Sequence, residues 1–156
     1  MIYAENILIC ISVPLLVALI FIGGNARHFT ASFLIGMIVC LLSAYISGFL
    51  VLPSGMVDEE VAIFISPMVE EIMKLLPLLF YLLMFQPDDE SIYLSALGIG
   101  AGFATFENCC YILTAGADKL IYVMIRGMAV GVMHIVSILA LALVICLARR
   151  FKAMSA

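Results

Sequence analysis

Apolar runs long enough to cross a bilayer alternate with short polar breaks along the whole chain. The runs fall at about 7–22, 29–52, 61–85, 91–115 and 120–147, and the breaks read GGNARH (23–28), PSGMVDEE (53–60), QPDDE (86–90) and GADK (116–119). A helical span needs roughly 20 apolar residues, so the pattern predicts a bundle of about five transmembrane helices joined by short loops. No polar stretch remains for a soluble domain, and 1–156 reads as a single transmembrane domain. The opening MIYAENILIC lacks the basic start of a cleavable signal and reads as the lead-in to a retained first helix.

Composition agrees. Of the 156 residues 66% are hydrophobic and 12% charged, with a mean hydropathy of +1.28. Soluble domains carry about 25% charged residues, and a soluble chain this short cannot hide so much apolar surface. The fold class expected is an all-α, multi-pass integral membrane protein whose surroundings are the lipid bilayer. The net charge of −4 is no guide to soluble partners, and no nucleic-acid partner is expected. The basic residues matter for orientation instead. Arg27 falls in the first break and Arg149, Arg150 and Lys152 follow the last run, on one side of a five-span bundle; Lys119 falls on the other. The positive-inside rule then places the C-terminus in the cytoplasm and the N-terminus outside. It also puts 53–60 and 116–119 on the outer face. The five cysteines all lie in apolar runs without CxxC spacing and read as small buried hydrophobes. His28, in the first break, reads as a solvated loop residue.

What changes the picture is SPMVEEIMKLLP (66–77), which sets Glu70, Glu71 and Lys74 in the third run. Glu107 lies in the fourth run, Arg126 and His134 in the fifth. A charged side chain at a helix centre costs roughly 2.5–3.5 kcal/mol on insertion scales, so these groups are expected to face one another. Counted from the outer helix ends, they lie at similar depths. Spacing refines this: Glu70 and Lys74 stand at i and i+4, and Gly100, Ala104, Glu107 and Tyr111 form one stripe with Asn108 beside it. Gly127, Gly131 and His134 share a face, with Arg126 offset. The pairs Gly98–Gly102 and Gly127–Gly131 allow close helix approach. Pro67 and Pro77 each remove an amide from the third run, and Pro67 is expected to weaken the helix just before the glutamates.

Three carboxylates against Lys74 and Arg126 leave one negative charge to balance, by a proton, an imidazolium or a metal cation. Buried carboxylates of this kind suit a general base. They equally suit a structural ion-pair network, a small proton- or cation-coupled carrier or channel, or a scaffold that binds a partner helix.

The order EExxK at 70–74, GFATFEN at 102–108 followed by Tyr111, then Arg126 and His134 resembles the PrsW family of intramembrane proteases, a branch of the group containing the CAAX prenyl endopeptidases. The resemblance runs from about Ser66 to Ser137 across the last three runs, within a motif-bearing catalytic core of about 61–148. It implies a peptidase of the prokaryotic cytoplasmic membrane that cleaves a membrane-anchored protein near the outer face, as in site-1 cleavage of anti-sigma factors. By the group's mechanism Glu70 activates water, Glu107 takes the second-motif place four residues after Phe103, and His134 polarises the scissile carbonyl or stabilises its oxyanion. Glu71 completes the catalytic set, and Lys74, Asn108 and Arg126 support it. The group's polar residue four places after the last histidine is Ile138 here, with Ser137 one short. A metal-free site is favoured, so no cofactor is expected. If a divalent metal such as zinc is used, Glu71, Glu107 and His134 are its expected ligands. The 53–60 loop is expected to act as a lid.

Overall fold

The computed structural model describes residues 23–54, 60–115 and 120–154, with isolated positions before them. The described residues form four long helices: α1 (Gly24–Ser54), α2 (Ser66–Phe85), α3 (Asp89–Ala115) and α4 (Leu120–Met154). Among the described residues there is no strand. Of the first expected span, 7–22, and of the outer loops, most lies outside the described residues; so do Gly55–Val57 of the expected lid and Lys119. Among the described residues three helices are long and apolar enough to cross a membrane: Gly24–Val51, Asp89–Leu113 and Met124–Phe151. The 20-residue α2 is about 30 Å long, but it carries Glu70, Glu71 and Lys74. The large exposed side chains of α4, among them Ile121, Ile125, Met128, Val132 and Val136, form the kind of face that lipid covers.

The helices alternate in direction, so α1 begins where α2 ends, α3 begins and α4 ends. Polar contacts tie that end together. Arg149 Nη1 donates to the Pro87 carbonyl at 2.8 Å, Arg150 grips Asp89 Oδ2 through Nε and Nη2 at 3.0 and 2.7 Å, and Asn25 meets Glu90 at 3.3 Å. Arg27, Arg149 and Arg150 therefore share one end of the bundle, as the loop pattern implied. The turn is local chemistry: Gln86 takes a left-handed conformation (φ 44°) to end α2, and Asp88 Oδ1 accepts the Ser91 amide at 3.3 Å to cap α3.

α3 is the central helix, packed between α1 and α4. Its approach to α1 is closer than any side chain permits: a Cβ on Gly102 would lie 1.9 Å from the Phe33 carbonyl oxygen, and one on Gly36 of α1 would lie 2.1 Å from that of Ile99. The Gly98–Gly102 pair thus serves α1. The α4 contact runs through Gly100, whose Cβ would meet Ile138, Ile135 and His134 at 2.9–3.1 Å. Two cores result. Met37, Leu34, Phe103 and Phe106 close α1 on α3, and Leu78, Ile92, Ile99, Ile138 and Cys146 join α2, α3 and α4 towards the arginine-rich end.

The expected weakening at Pro67 has a counterpart: a π-helical turn, Val61–Ile65, runs directly into α2, and Pro67 stands in the first turn of α2. One local expectation changes. His28 is no solvated loop residue. Helix α1 starts at Gly24, which places His28 half-buried against α3, with Nε2 2.8 Å from Ser95 Oγ and its ring edge-on to Tyr81.

Candidate active site

The charged residues of the spans meet in the half of the bundle away from Arg149 and Arg150, where the N-terminal halves of α2 and α4 and the C-terminal part of α3 lie together. Glu107 on α3 is the hub. Its Oε2 lies 2.6 Å from His134 Nε2 and its Oε1 3.1 Å from Arg126 Nη2. Arg126 also donates from Nη1 to Asn108 Oδ1 at 2.8 Å and lies over the Tyr111 ring, 3.7 Å from its centroid. The Asn108 amide turns towards the Gly127 carbonyl at 3.5 Å. The predicted stripe Gly100, Ala104, Glu107 and Tyr111 is therefore the face α3 turns to α4. Small residues set the separation: a Cβ on Gly131 would lie 3.9 Å from Ala104.

Lys74 sits on the other side of His134. Its side chain is fully buried, and its ammonium touches Glu71 Oε1 at 2.6 Å, His134 Nδ1 at 3.0 Å and Ser137 Oγ at 3.2 Å. Ser137 Oγ is also 3.1 Å from Glu71 Oε1 and 3.0 Å from the His134 carbonyl. The Phe103 ring packs against the imidazole with centroids 4.7 Å apart. Lys74 thus pairs with the glutamate three residues before it, Glu71, rather than with Glu70 at i−4.

That choice decides the charge balance. Glu71 holds Lys74 and Glu107 holds Arg126, while no side chain hydrogen-bonds Glu70 among the described residues. Glu70 instead lines a cavity of about 440 Å³ with Glu107, Ser66, Phe106 and a wall from α1. Of the two carboxylates that face the cavity, Glu70 and Glu107, Glu70 is the unbalanced one. The wall includes Cys40, Ser43, Ala44, Ser47 and Gly48.

The chain matches the PrsW family, described as intramembrane metalloproteases, over residues 24–156. It belongs to that family. No curated protein and no solved structure matches it. This PrsW-family chain is therefore an integral membrane protein and a membrane protease, and the match extends over α1, to which no sequence motif pointed.

The family description raises the question of a metal. Among the described residues no group of three or more His, Cys, Asp or Glu side chains is placed to hold one. The geometry gives the reason for the expected trio. Glu107 lies at the Nε2 edge of the His134 ring, while Glu71 lies beyond the Nδ1 edge, with the Lys74 ammonium between. Both ring nitrogens are engaged, and each of the two carboxylates already holds a cation. Glu71, Glu107 and His134 do not converge on one ion.

Sequence reasoning noted Ser137 only as one place short of the group's polar position, and it missed the α1 wall. Ser137 stands one turn after His134, a spacing that puts its hydroxyl over the same face. The α1 wall carries no charge, and only the recurrence of small residues at 40, 43–44 and 47–48 marks it. Among the described residues Cys40 and Cys146 are buried, and Cys109 and Cys110 are half-buried.

Proposed function

We propose that this protein hydrolyses a peptide bond of a membrane-anchored protein with a water activated by Glu70. The observation that carries this reading is the position of Glu70: it faces the cavity, and alone among the three clustered carboxylates it has no cation bound to it among the described residues. A carboxylate held to an ammonium or guanidinium is a poor proton acceptor; one facing open space among other carboxylates is available.

In the proposed cycle, water sits in the cavity between Glu70 and Glu107. Glu70 accepts a water proton as the oxygen attacks the scissile carbonyl carbon. The negative charge that forms on the carbonyl oxygen takes a hydrogen bond from the His134 imidazole, which the resting site holds against Glu107. Glu70 then returns its proton to the nitrogen as the C–N bond breaks. Arg126 and Asn108 keep Glu107 in place, and no step passes through a metal. The concentration of the basic residues at the opposite end supports placing the site towards the outer face of a prokaryotic cytoplasmic membrane. An anti-sigma factor or another single-span protein cut near that face is the substrate class that fits. A coupled carrier would need a continuous polar path; towards the arginine-rich end His28, Ser32 and Ser95 are set apart from the charged cluster by the apolar core of Leu78, Ile92, Ile99 and Ile138.

The test is cleavage of a membrane-anchored single-span substrate by purified protein in detergent, comparing wild type with Glu70→Gln, each with and without a strong chelator. Loss confined to the variant is the expected result. Loss of wild-type activity on chelation would overturn the metal-free mechanism, and an active Glu70→Gln protein would overturn the role of Glu70.

A further inference from the structure

Lys74 is a long cationic side chain that is completely buried, with a relative exposure of 0%. Such a group persists only where every donor finds a partner. An ammonium has three donors and no acceptor, and three acceptors surround it: Glu71 Oε1 at 2.6 Å, His134 Nδ1 at 3.0 Å and Ser137 Oγ at 3.2 Å. Each N–H has its own partner. The count leaves nothing over, and it has a consequence for the histidine.

Because the ammonium can only donate, His134 Nδ1 must present its lone pair. A proton on Nδ1 would point at the three ammonium hydrogens from 3.0 Å. The ring proton therefore sits on Nε2. There it faces Glu107 Oε2 at 2.6 Å, a carboxylate that can only accept while ionised. The two contacts are compatible in one direction only: Lys74 donates to Nδ1, and Nε2–H donates to Glu107. The ring is also fixed in place by Phe103 and is itself 1% exposed. Ser137 closes the support on the Lys74 side, taking one ammonium hydrogen while standing 3.1 Å from Glu71 Oε1.

We propose that Lys74 is a positioning residue that fixes His134 as the neutral Nε2–H tautomer, with Glu71 and Ser137 orienting the ammonium, so that His134 serves the reaction as a hydrogen-bond donor and not as a proton acceptor. This rests on the peptidase reading given above. It deepens that reading by dividing the work: the proton from water has one available destination, Glu70, because the only lone pair of His134 is occupied by Lys74. It also accounts for the fully buried lysine of the EExxK motif, which lies too far around the ring to meet whatever occupies the Nε2 side.

The tautomer is read directly by ¹⁵N NMR of histidine-labelled full-length protein in detergent, with His28→Gln removing the other of the two histidines. Wild-type His134 is expected to show a protonated Nε2 and a lone-pair Nδ1 at neutral pH. Lys74→Met leaves Glu107 on Nε2–H but removes the donor to Nδ1, so the Nδ1 resonance should move from that of a hydrogen-bonded lone pair to that of an unbonded one. The same variant should lower kcat by about 100-fold while KM stays within about threefold, the signature of a misdirected donor rather than lost binding. A wild-type spectrum with a proton on Nδ1, or on both nitrogens, overturns the proposal, and it requires no variant to fold. An unaltered spectrum in well-folded Lys74→Met overturns it as well. The spectrum is taken without substrate, so failure of the peptidase reading would appear only in the cleavage assay.

Discussion

Glu107 and His134 meet across the α3–α4 interface, Oε2 to Nε2 at 2.6 Å, while Arg126 takes the other oxygen of the same carboxylate at 3.1 Å. The carboxylate is thus held from both sides by α4, and its position is set by how closely α3 and α4 pack. Gly100, Ala104 and Gly131 make that separation small enough for hydrogen bonds. Helix packing and site geometry are one problem here, and the predictions below separate them.

Arg126→Lys should lower cleavage about tenfold to a hundredfold without unfolding the protein. The guanidinium forks between Asn108 Oδ1 and Glu107 Oε1 and stacks on Tyr111. A lysine keeps the charge but can neither fork nor stack, so Glu107 gains freedom to pivot, and small misplacements of catalytic groups are costly. Steady-state kinetics with a thermal unfolding midpoint checks it. Unchanged kinetics would remove Arg126 from the positioning set.

Gly102→Ala should be far more damaging to stability than Gly131→Ala. At Gly102 the added carbon would lie 1.9 Å from backbone, the Phe33 carbonyl oxygen, so α1 and α3 must part. At Gly131 it would meet Ala104 at an ordinary 3.9 Å. Overpacking of this kind costs about 1–3 kcal/mol, whereas the second change should be near neutral or gain slightly from helix propensity. Unfolding in detergent of the two variants side by side measures the difference.

The clustering of Glu70, Glu71, Lys74, Glu107, Arg126 and His134 was legible in the sequence because lipid leaves charges no other refuge. The stripe from Gly100 to Tyr111 also revealed which face of α3 turns to α4, since helical periodicity fixes it. Two things were not legible. Glu70 and Glu71 are both within reach of Lys74 along a helix, and only the position of Ser137 and His134 on α4 draws the ammonium towards Glu71. The α1 wall escaped because small residues in an apolar helix look the same whether they admit a neighbouring helix, as Gly36 does, or border a cavity, as Ala44 does. His28 was misplaced for a plainer reason: GGNARH looks like a loop, but the helix begins within it, at Gly24.

Asp88 makes a pH prediction at the arginine-rich end. The Ser91 hydroxyl, followed by the Ser91 amide, holds its carboxyl below the usual aspartate range. A group whose folded value is depressed stabilises the folded state above its unfolded value, about 3.9, and loses that contribution as pH falls through the folded value. The unfolding midpoint of wild type should therefore exceed that of Asp88→Ala at pH about 7. The gap should narrow below pH about 4 and close at still lower pH. Asp88→Asn should retain the cap without the pH dependence. A gap that persists in strong acid would mean that the carboxylate is not its source.

Ala44→Phe and Ser47→Phe should block the proposed reaction while leaving the fold intact. Both side chains border the cavity that Glu70 and Glu107 share, so added bulk enters open space rather than a packed core. Neither residue belongs to the hydrogen-bonded network around His134, whose geometry should stay as it is. Cleavage should fall at least tenfold, chiefly through KM, because substrate is excluded while the reacting groups stand unchanged. Bulk at Met128 is the control, since that side chain is 69% exposed on the outward face of α4: Met128→Phe should cleave as wild type does. If the two α1 variants cleave normally, substrate reaches Glu70 by another route and the α1 wall has no part in binding it.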